Sequence, residues 1–226
     1  MDFIFPAKCI SCGISGNDLC LKCLGDSPSA ERESARWIFP LYDYRHPPIK
    51  KALWVFKYNG KKRLANIFAE NIYEKILEEL SDLSVMENFT NAILIPIPLS
   101  SKRYRERGYN QAELICKELI KLDHLSPPLA PLSINKWRGV RGEVFSLETS
   151  VLIKPKETEH QARIENRTQR LKNIIGSFAV KNEEKIKKRN IILIDDITTT
   201  GATLAEAKKV LKQAGARKVI AFTVAH

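Results

Sequence analysis

Apolar residues in this chain recur in two rhythms. Short unbroken runs at Ala92–Ile95, Ile191–Ile194 and Val219–Val224 read as strands buried on both faces, the habit of a parallel sheet. Trp37–Tyr44 reads as a further strand or an extended entry to the sheet. Elsewhere the spacing turns helical. Pro48 opens a helix with Ile49, Ala52, Leu53 and Phe56 inward, and Asn59–Gly60 ends it. Leu64, Ala65, Phe68, Ala69, Ile72, Ile76, Leu77 and Leu80 mark a second helix, with a polar connection over 81–90. Ile115, Leu119 and Leu122 mark a third. Leu204, Ala207, Val210, Leu211 and Ala214 mark a fourth, with Gly215 as its stop. Prolines 127, 128 and 131 predict a loop, and Ile134–Leu147 a hairpin around Arg138–Gly142. Strands alternating with helices predict an α/β fold with a mostly parallel central sheet flanked by helices.

The densest chemistry follows the run Ile191–Ile194. Asp195 and Asp196 stand where that strand ends, and Thr198, Thr199, Thr200, Gly201, Ala202 and Thr203 form a hydroxyl-rich turn into the next helix. Ligands of open parallel sheets sit outside the carboxyl ends of the strands. Turn amides, threonine hydroxyls and a helix N-terminus together make a cradle for a phosphate. Two acids beside that cradle would repel a polyphosphate unless they face neutral hydroxyls or a metal, and a ribose 5-phosphate supplies such hydroxyls. A nucleotide-hydrolase strand of the Walker B kind is the rival reading, but no GxxxxGK[ST] loop occurs in the chain.

The N-terminus breaks the pattern. Cys9 and Cys12 form one CxxC pair, and Cys20 and Cys23, after seven intervening residues, form another. Each short turn points two sulfurs at one centre, which suits tetrahedral Zn²⁺ held structurally by four thiolates. The segment has too few apolar residues to fold alone, so metal binding would supply its folding energy. The polar stretch Gly25–Arg36 reads as a linker. The expected division is a four-cysteine zinc ribbon over 1–30 and the α/β domain over 37–226, each with its own core. Cys116 reads as a small core residue.

Composition narrows the partners. A formal charge of +11 makes an anionic partner plausible, either a phosphate-rich substrate or nucleic acid. No apolar run reaches transmembrane length and the start does not resemble a signal peptide, so no membrane insertion and a cytoplasmic location are expected. Ser100–Gly108 is the densest cationic stretch, reading as a loop with Lys102, Arg103, Arg105 and Arg107, and Arg107–Gly108–Tyr109–Asn110–Gln111 follows it. A basic loop at a strand's carboxyl edge can hold a second anion.

These stretches carry a family likeness. The run IILIDDITTTGAT resembles the phosphoribosyl-pyrophosphate (PRPP) signature of type I phosphoribosyltransferases. IPIPLSSKRYRERGYNQAEL resembles the corresponding signature of the ComF family, competence-associated relatives of that fold. The resemblance resumes at Lys154, Thr158, Gln161, Arg167, Arg170, Asn173 and Phe178, with His160 where family members often carry Pro. It implies PRPP binding, with Asp195 and Asp196 on the ribose hydroxyls and residues 198–203 on the 5-phosphate. It further implies Mg²⁺ carried with PRPP, and Lys102, Arg103, Arg107, Gln161, Arg167 and Arg170 on the pyrophosphate or in a lid. The resemblance also implies a part in natural competence beside the competence machinery, with single-stranded DNA as a partner. Two readings stand: transfer of a phosphoribosyl group to an unknown nucleophile, or a non-catalytic, PRPP-responsive DNA-binding factor.

Overall fold

The computed structural model describes residues 7–31, 35–87, 89, 91–125, 145–155 and 176–226. Its centre is a five-stranded, wholly parallel sheet built from β3 (Ile38–Tyr42), β4 (Ala92–Pro96), β5 (Phe145–Leu147), β8 (Asn190–Ile197) and β9 (Lys218–Ala225), in the order β3-β9-β8-β4-β5. The apolar runs read from the sequence are its three middle strands. Each needs both faces covered, and two hydrophobic clusters cover them.

One face carries α2 (Pro47–Tyr58), α3 (Leu64–Glu87) and α5 (Gln111–Leu125). There Phe56, Phe68, Ile72, Ile76 and Ile115 pack on Leu94, Ile192, Ile194 and Phe222. Each side chain of this size, fully buried, stabilises the fold by roughly 1.5–3 kcal/mol. The other face carries α6 (Ala202–Gln213), whose Leu204, Ala207 and Leu211 pack with Ile191, Leu193, Val219 and Ala221. Odd and even residues of β8 therefore serve opposite clusters, as strand alternation requires.

This topology locates the site. The chain leaves β4 through α4 (Ser101–Arg107) and α5 to reach β5 on one side. It leaves β8 through α6 to reach β9 on the other side and on the other face. The carboxyl ends of β4 and β8 thus flank a topological switch point, where open α/β sheets hold ligands. Both chemical stretches, Ser100–Gly108 and Asp195–Thr203, begin there.

Four expectations are corrected. The helix expected to end at Leu80 continues to Glu87. Ser100–Gly108 is not a loop: Ser100 accepts from the Arg103 amide, Gly108 closes the turn at φ 75°, and α4 lies between them. The Phe145–Leu147 end of the expected hairpin pairs in parallel with β4 instead, while 126–144 lies outside the described residues. Gly25–Arg36 is no free linker, because Ser29 bridges Tyr42 and the Ala30 amide donates to the Leu41 carbonyl at 3.0 Å.

The cysteine segment, with β1 (Ala7–Lys8) paired to β2 (Ser15–Gly16) and then α1 (Leu21–Gly25), does not keep a separate core either. Cys9, Leu19 and Leu24 belong to the same buried cluster as α2 and α3. Buried Asp18 also pairs with Lys61 at 3.0 Å. A short antiparallel pair, β6 (Leu152–Ile153) with β7 (Ala179–Val180), completes the described structure.

Candidate functional site

The strand β8 runs through both acids before the chain turns. Asp196 follows the Ile192–Ile194 side of β8, toward α2 and α4, and Asp195 follows the other side. Asp196 is buried and Asp195 is partly exposed. The Asp196 amide donates to Asp195 Oδ1 at 2.8 Å, tying the two residues together. Burial and the neighbouring Asp196 charge push the Asp195 carboxyl up to about 7, against the pull of the Asp196 amide, Lys57 and Arg103.

Beyond the acids, Thr198 is buried and its amide donates to the Ala225 carbonyl at 3.0 Å. Thr199 and Thr200 are exposed, and Thr200 Oγ1 accepts from the Ala202 amide at 3.4 Å. Gly201 turns the chain at φ 71°, and a Cβ there would meet Ile38 Cδ1 at 3.0 Å. Only glycine fits both the left-handed backbone and the close approach. The helix α6 starts directly after it with no cap from the Gly201 position itself, so the positive end of its dipole adjoins the threonine turn.

The facing wall comes from α2, from the end of α4 and from the stretch that follows it. Lys57 Nζ meets Asp196 Oδ1 at 3.1 Å, and Arg107 Nη1 lies 3.9 Å from Asp196 Oδ2. Arg107 Nη1 also donates to Gln111 Oε1 at 2.9 Å. Its side chain is only 8% exposed, yet its Nε has no hydrogen-bond partner among the described residues. The RGYNQ stretch is structured throughout. Tyr109 packs inward and its hydroxyl donates to the Phe56 carbonyl. Asn110 Nδ2 donates to the Ile97 carbonyl, and its Oδ1 accepts from the Ala112 amide to cap α5. Lys102, Arg103 and Arg105, by contrast, are exposed on α4.

So the structure brings Asp195, Asp196, residues 198–203 and Arg107 to one sheet edge, with Lys102 and Arg103 on the adjoining helix. Gln161, Arg167 and Arg170 lie outside the described residues. Lys57 was missed by the sequence reading, which took all of α2 as a core stripe. A signal was available: Lys57 sits four residues after Leu53, on the inward face, where an unpaired ammonium would be costly.

At the N-terminus the Sγ atoms of Cys9, Cys12, Cys20 and Cys23 all lie within 4.8 Å of one another. Cys12 and Cys20 are 3.6 Å apart. Sulfurs bonded tetrahedrally at about 2.3 Å to one Zn²⁺ would be about 3.8 Å apart. The cluster could therefore hold a metal ion such as zinc.

Comparison with known proteins agrees with this geometry. Residues 132–226 match the phosphoribosyl transferase domain. A DNA utilization protein YhgH from Salmonella typhi is 24% identical over 216 residues, spanning 93% of this chain and 80% of its own length. Competence protein F of Haemophilus influenzae is 25% identical over 217 residues, spanning 92% of this chain and 81% of its own. Competence protein ComFC of Streptococcus pneumoniae is 29% identical over 169 residues, spanning 75% of this chain and 59% of its own. The crystal structure of a Staphylococcus aureus hypoxanthine phosphoribosyltransferase covers 70% of this chain and 62% of its own, with 14% identity and a TM-score of 0.37, too loose a likeness to bear weight. The C-terminal part of the chain thus matches the phosphoribosyl transferase domain, and along nearly its whole length the chain is similar to proteins named for DNA utilization and competence.

Proposed function

We propose that the chain binds PRPP at the β8–α6 turn and serves DNA uptake in natural competence from the cytoplasmic side. The reading is carried by one observation: paired acids at the end of β8, adjoining a glycine-hinged threonine turn at the start of α6. In it, Asp195 and Asp196 accept hydrogen bonds from the ribose 2- and 3-hydroxyls. A carboxylate has about four lone-pair sites, so Asp196 can keep Lys57 and accept a hydroxyl as well. Residues Thr198, Thr199, Thr200, Gly201, Ala202 and Thr203 hold the 5-phosphate with amides and hydroxyls.

Arg107 is poised for the pyrophosphate, since its buried Nε has no partner among the described residues. Lys102 and Arg103, with Gln161, Arg167 and Arg170, are assigned to the pyrophosphate or a lid. The carboxylate oxygens of this edge suit a hard cation, and Mg²⁺ brought with PRPP would supply charge neutralisation for the leaving pyrophosphate. In the catalytic reading the bond between ribose C1 and the pyrophosphate oxygen breaks and its electron pair departs with pyrophosphate. A nucleophile of the acceptor then bonds C1, while Lys57 and Arg107 fix the acid that positions the sugar. The four cysteines, in the ribbon spanning 1–30 ahead of the transferase-like domain at 37–226, are assigned a structural Zn²⁺.

Release of pyrophosphate from PRPP and Mg²⁺ tests the catalytic reading. We expect release by the full chain and its loss in Asp195→Asn with the far-ultraviolet spectrum unchanged; release undiminished in that variant would contradict the assignment. The net charge of +11 favours a second reading, a non-catalytic PRPP-responsive factor that binds single-stranded DNA. Relatives named as DNA utilization and competence proteins support it. It predicts PRPP binding with no pyrophosphate release.

A further inference from the structure

From Tyr44 to Ala69 the chain carries seven Lys or Arg residues and no Asp or Glu. The helix α2 lies within this stretch, and its outer face shows Lys50, Lys51, Trp54 and Tyr58, spaced to share one side. Trp54 is 54% exposed and Tyr58 57%, with ring centroids 6.0 Å apart. Arg107, at the end of α4, lies over the Tyr58 ring at 5.5 Å, so α4 adjoins the C-terminal end of α2. One helical turn before Arg107, Tyr104 is 52% exposed, among the exposed cations Lys102, Arg103 and Arg105. All three rings stay more than half exposed, and each is large enough that leaving it in water is costly.

We propose that Trp54 and Tyr58, with Tyr104 beside them, form a stacking platform for unpaired bases, and that the lysines and arginines around them follow the backbone of single-stranded DNA. The proposal rests on the DNA-binding reading above and gives it a surface. Three features select this occupant. The α2 part of the face carries no acid, and on α4 Lys102, Arg103 and Arg105 outnumber the single exposed acid Glu106, a net sign that suits a polyanion. Its exposed large apolar groups are all aromatic, which suits the π-faces of bases rather than lipid chains. The rings stand on convex helices, accessible to splayed bases but not to bases already stacked in a duplex. The platform also borders Arg107 and Asp196, so a bound strand would run along the rim of the sugar-phosphate site.

Fluorescence anisotropy of a labelled fifteen-nucleotide oligo-dT with the full chain tests this, at two salt concentrations and beside a duplex of equal length. We expect the unaltered chain to bind the single strand more tightly than the duplex and to weaken as salt rises. Trp54→Ala should weaken binding roughly 5-fold or more, with Trp54→Phe retaining most of it. PRPP affinity and the melting temperature should not move, because Trp54 is exposed and outside the sugar-phosphate site. Undiminished binding by Trp54→Ala would overturn the platform while leaving DNA binding standing. No binding by the unaltered chain would overturn both, and equal binding of the duplex would overturn the stacking argument.

Discussion

Lys57 and Asp196 set the electrostatics of the site at the residue scale. Their side chains are 15% and 10% exposed, so each charge has lost most of its water and depends on the other. Lys57→Met would leave Asp196 with Arg107 alone. Removing one partner of a buried pair costs about 3–5 kcal/mol, and the value here should fall toward the lower end because Arg107 remains. Urea denaturation should show this loss, and the double variant Lys57→Met/Asp196→Asn should recover most of it. A loss in the double variant equal to the sum of the singles would mean that the pair is not coupled.

Asp195 behaves in the opposite sense. Its carboxyl is pushed from an ordinary 3.8 up to about 7, so between those values the folded state keeps a proton that the unfolded chain has released. Stability must therefore fall as pH rises from about 4 to about 7 and level off above that. Asp195→Asn should flatten that slope in denaturation curves taken across the range. A slope unchanged by the substitution would assign the effect to another group.

At the scale of elements, legibility followed burial. The unit β8–α6–β9 was readable to within a few residues, because strands covered on both faces cannot tolerate polar interruptions and Gly215 marked the stop at φ 92°. The cysteine spacing was equally plain. The short helix α4 was hidden by its own composition, since a stretch with no buried apolar side chain shows no apolar period. Its caps, Ser100 and Gly108, were nevertheless in the sequence. Lys57 was hidden by being one polar residue on an apolar stripe. The parallel pairing of β5 with β4 could not be read, because register between strands distant in sequence leaves no local trace.

The shared core of the cysteine segment also emerged only in three dimensions, and it changes what metal loss should do. Leu19 and Leu24 are 1% and 4% exposed and pack with α2 and α3. Burial of each is worth roughly 1.5–3 kcal/mol. Chelation, or Cys20→Ser, should therefore destabilise the whole fold, with a fall in melting temperature on the order of 10 °C for a chain of this size. Scanning calorimetry with and without chelator measures it. A main transition that stays in place while only the N-terminal segment is lost would contradict the shared core.

For the whole molecule, the parallel sheet places an acid pair and a threonine-rich turn on one side of a switch point and a cationic wall on the other. The positive charge continues outward along α2 and α4. In the function proposed above, a single edge binds a sugar phosphate while an adjoining face meets a larger polyanion. That proposed division depends on the glycine hinge, which must let the threonine amides and the start of α6 converge on one phosphate. Isothermal titration of the full chain with PRPP and Mg²⁺, alongside Gly201→Val, tests this most directly. The account predicts binding by the unaltered chain and at least a tenfold loss in the variant, with the fold retained by circular dichroism. Unchanged affinity in Gly201→Val, or no binding by the unaltered chain, would contradict it.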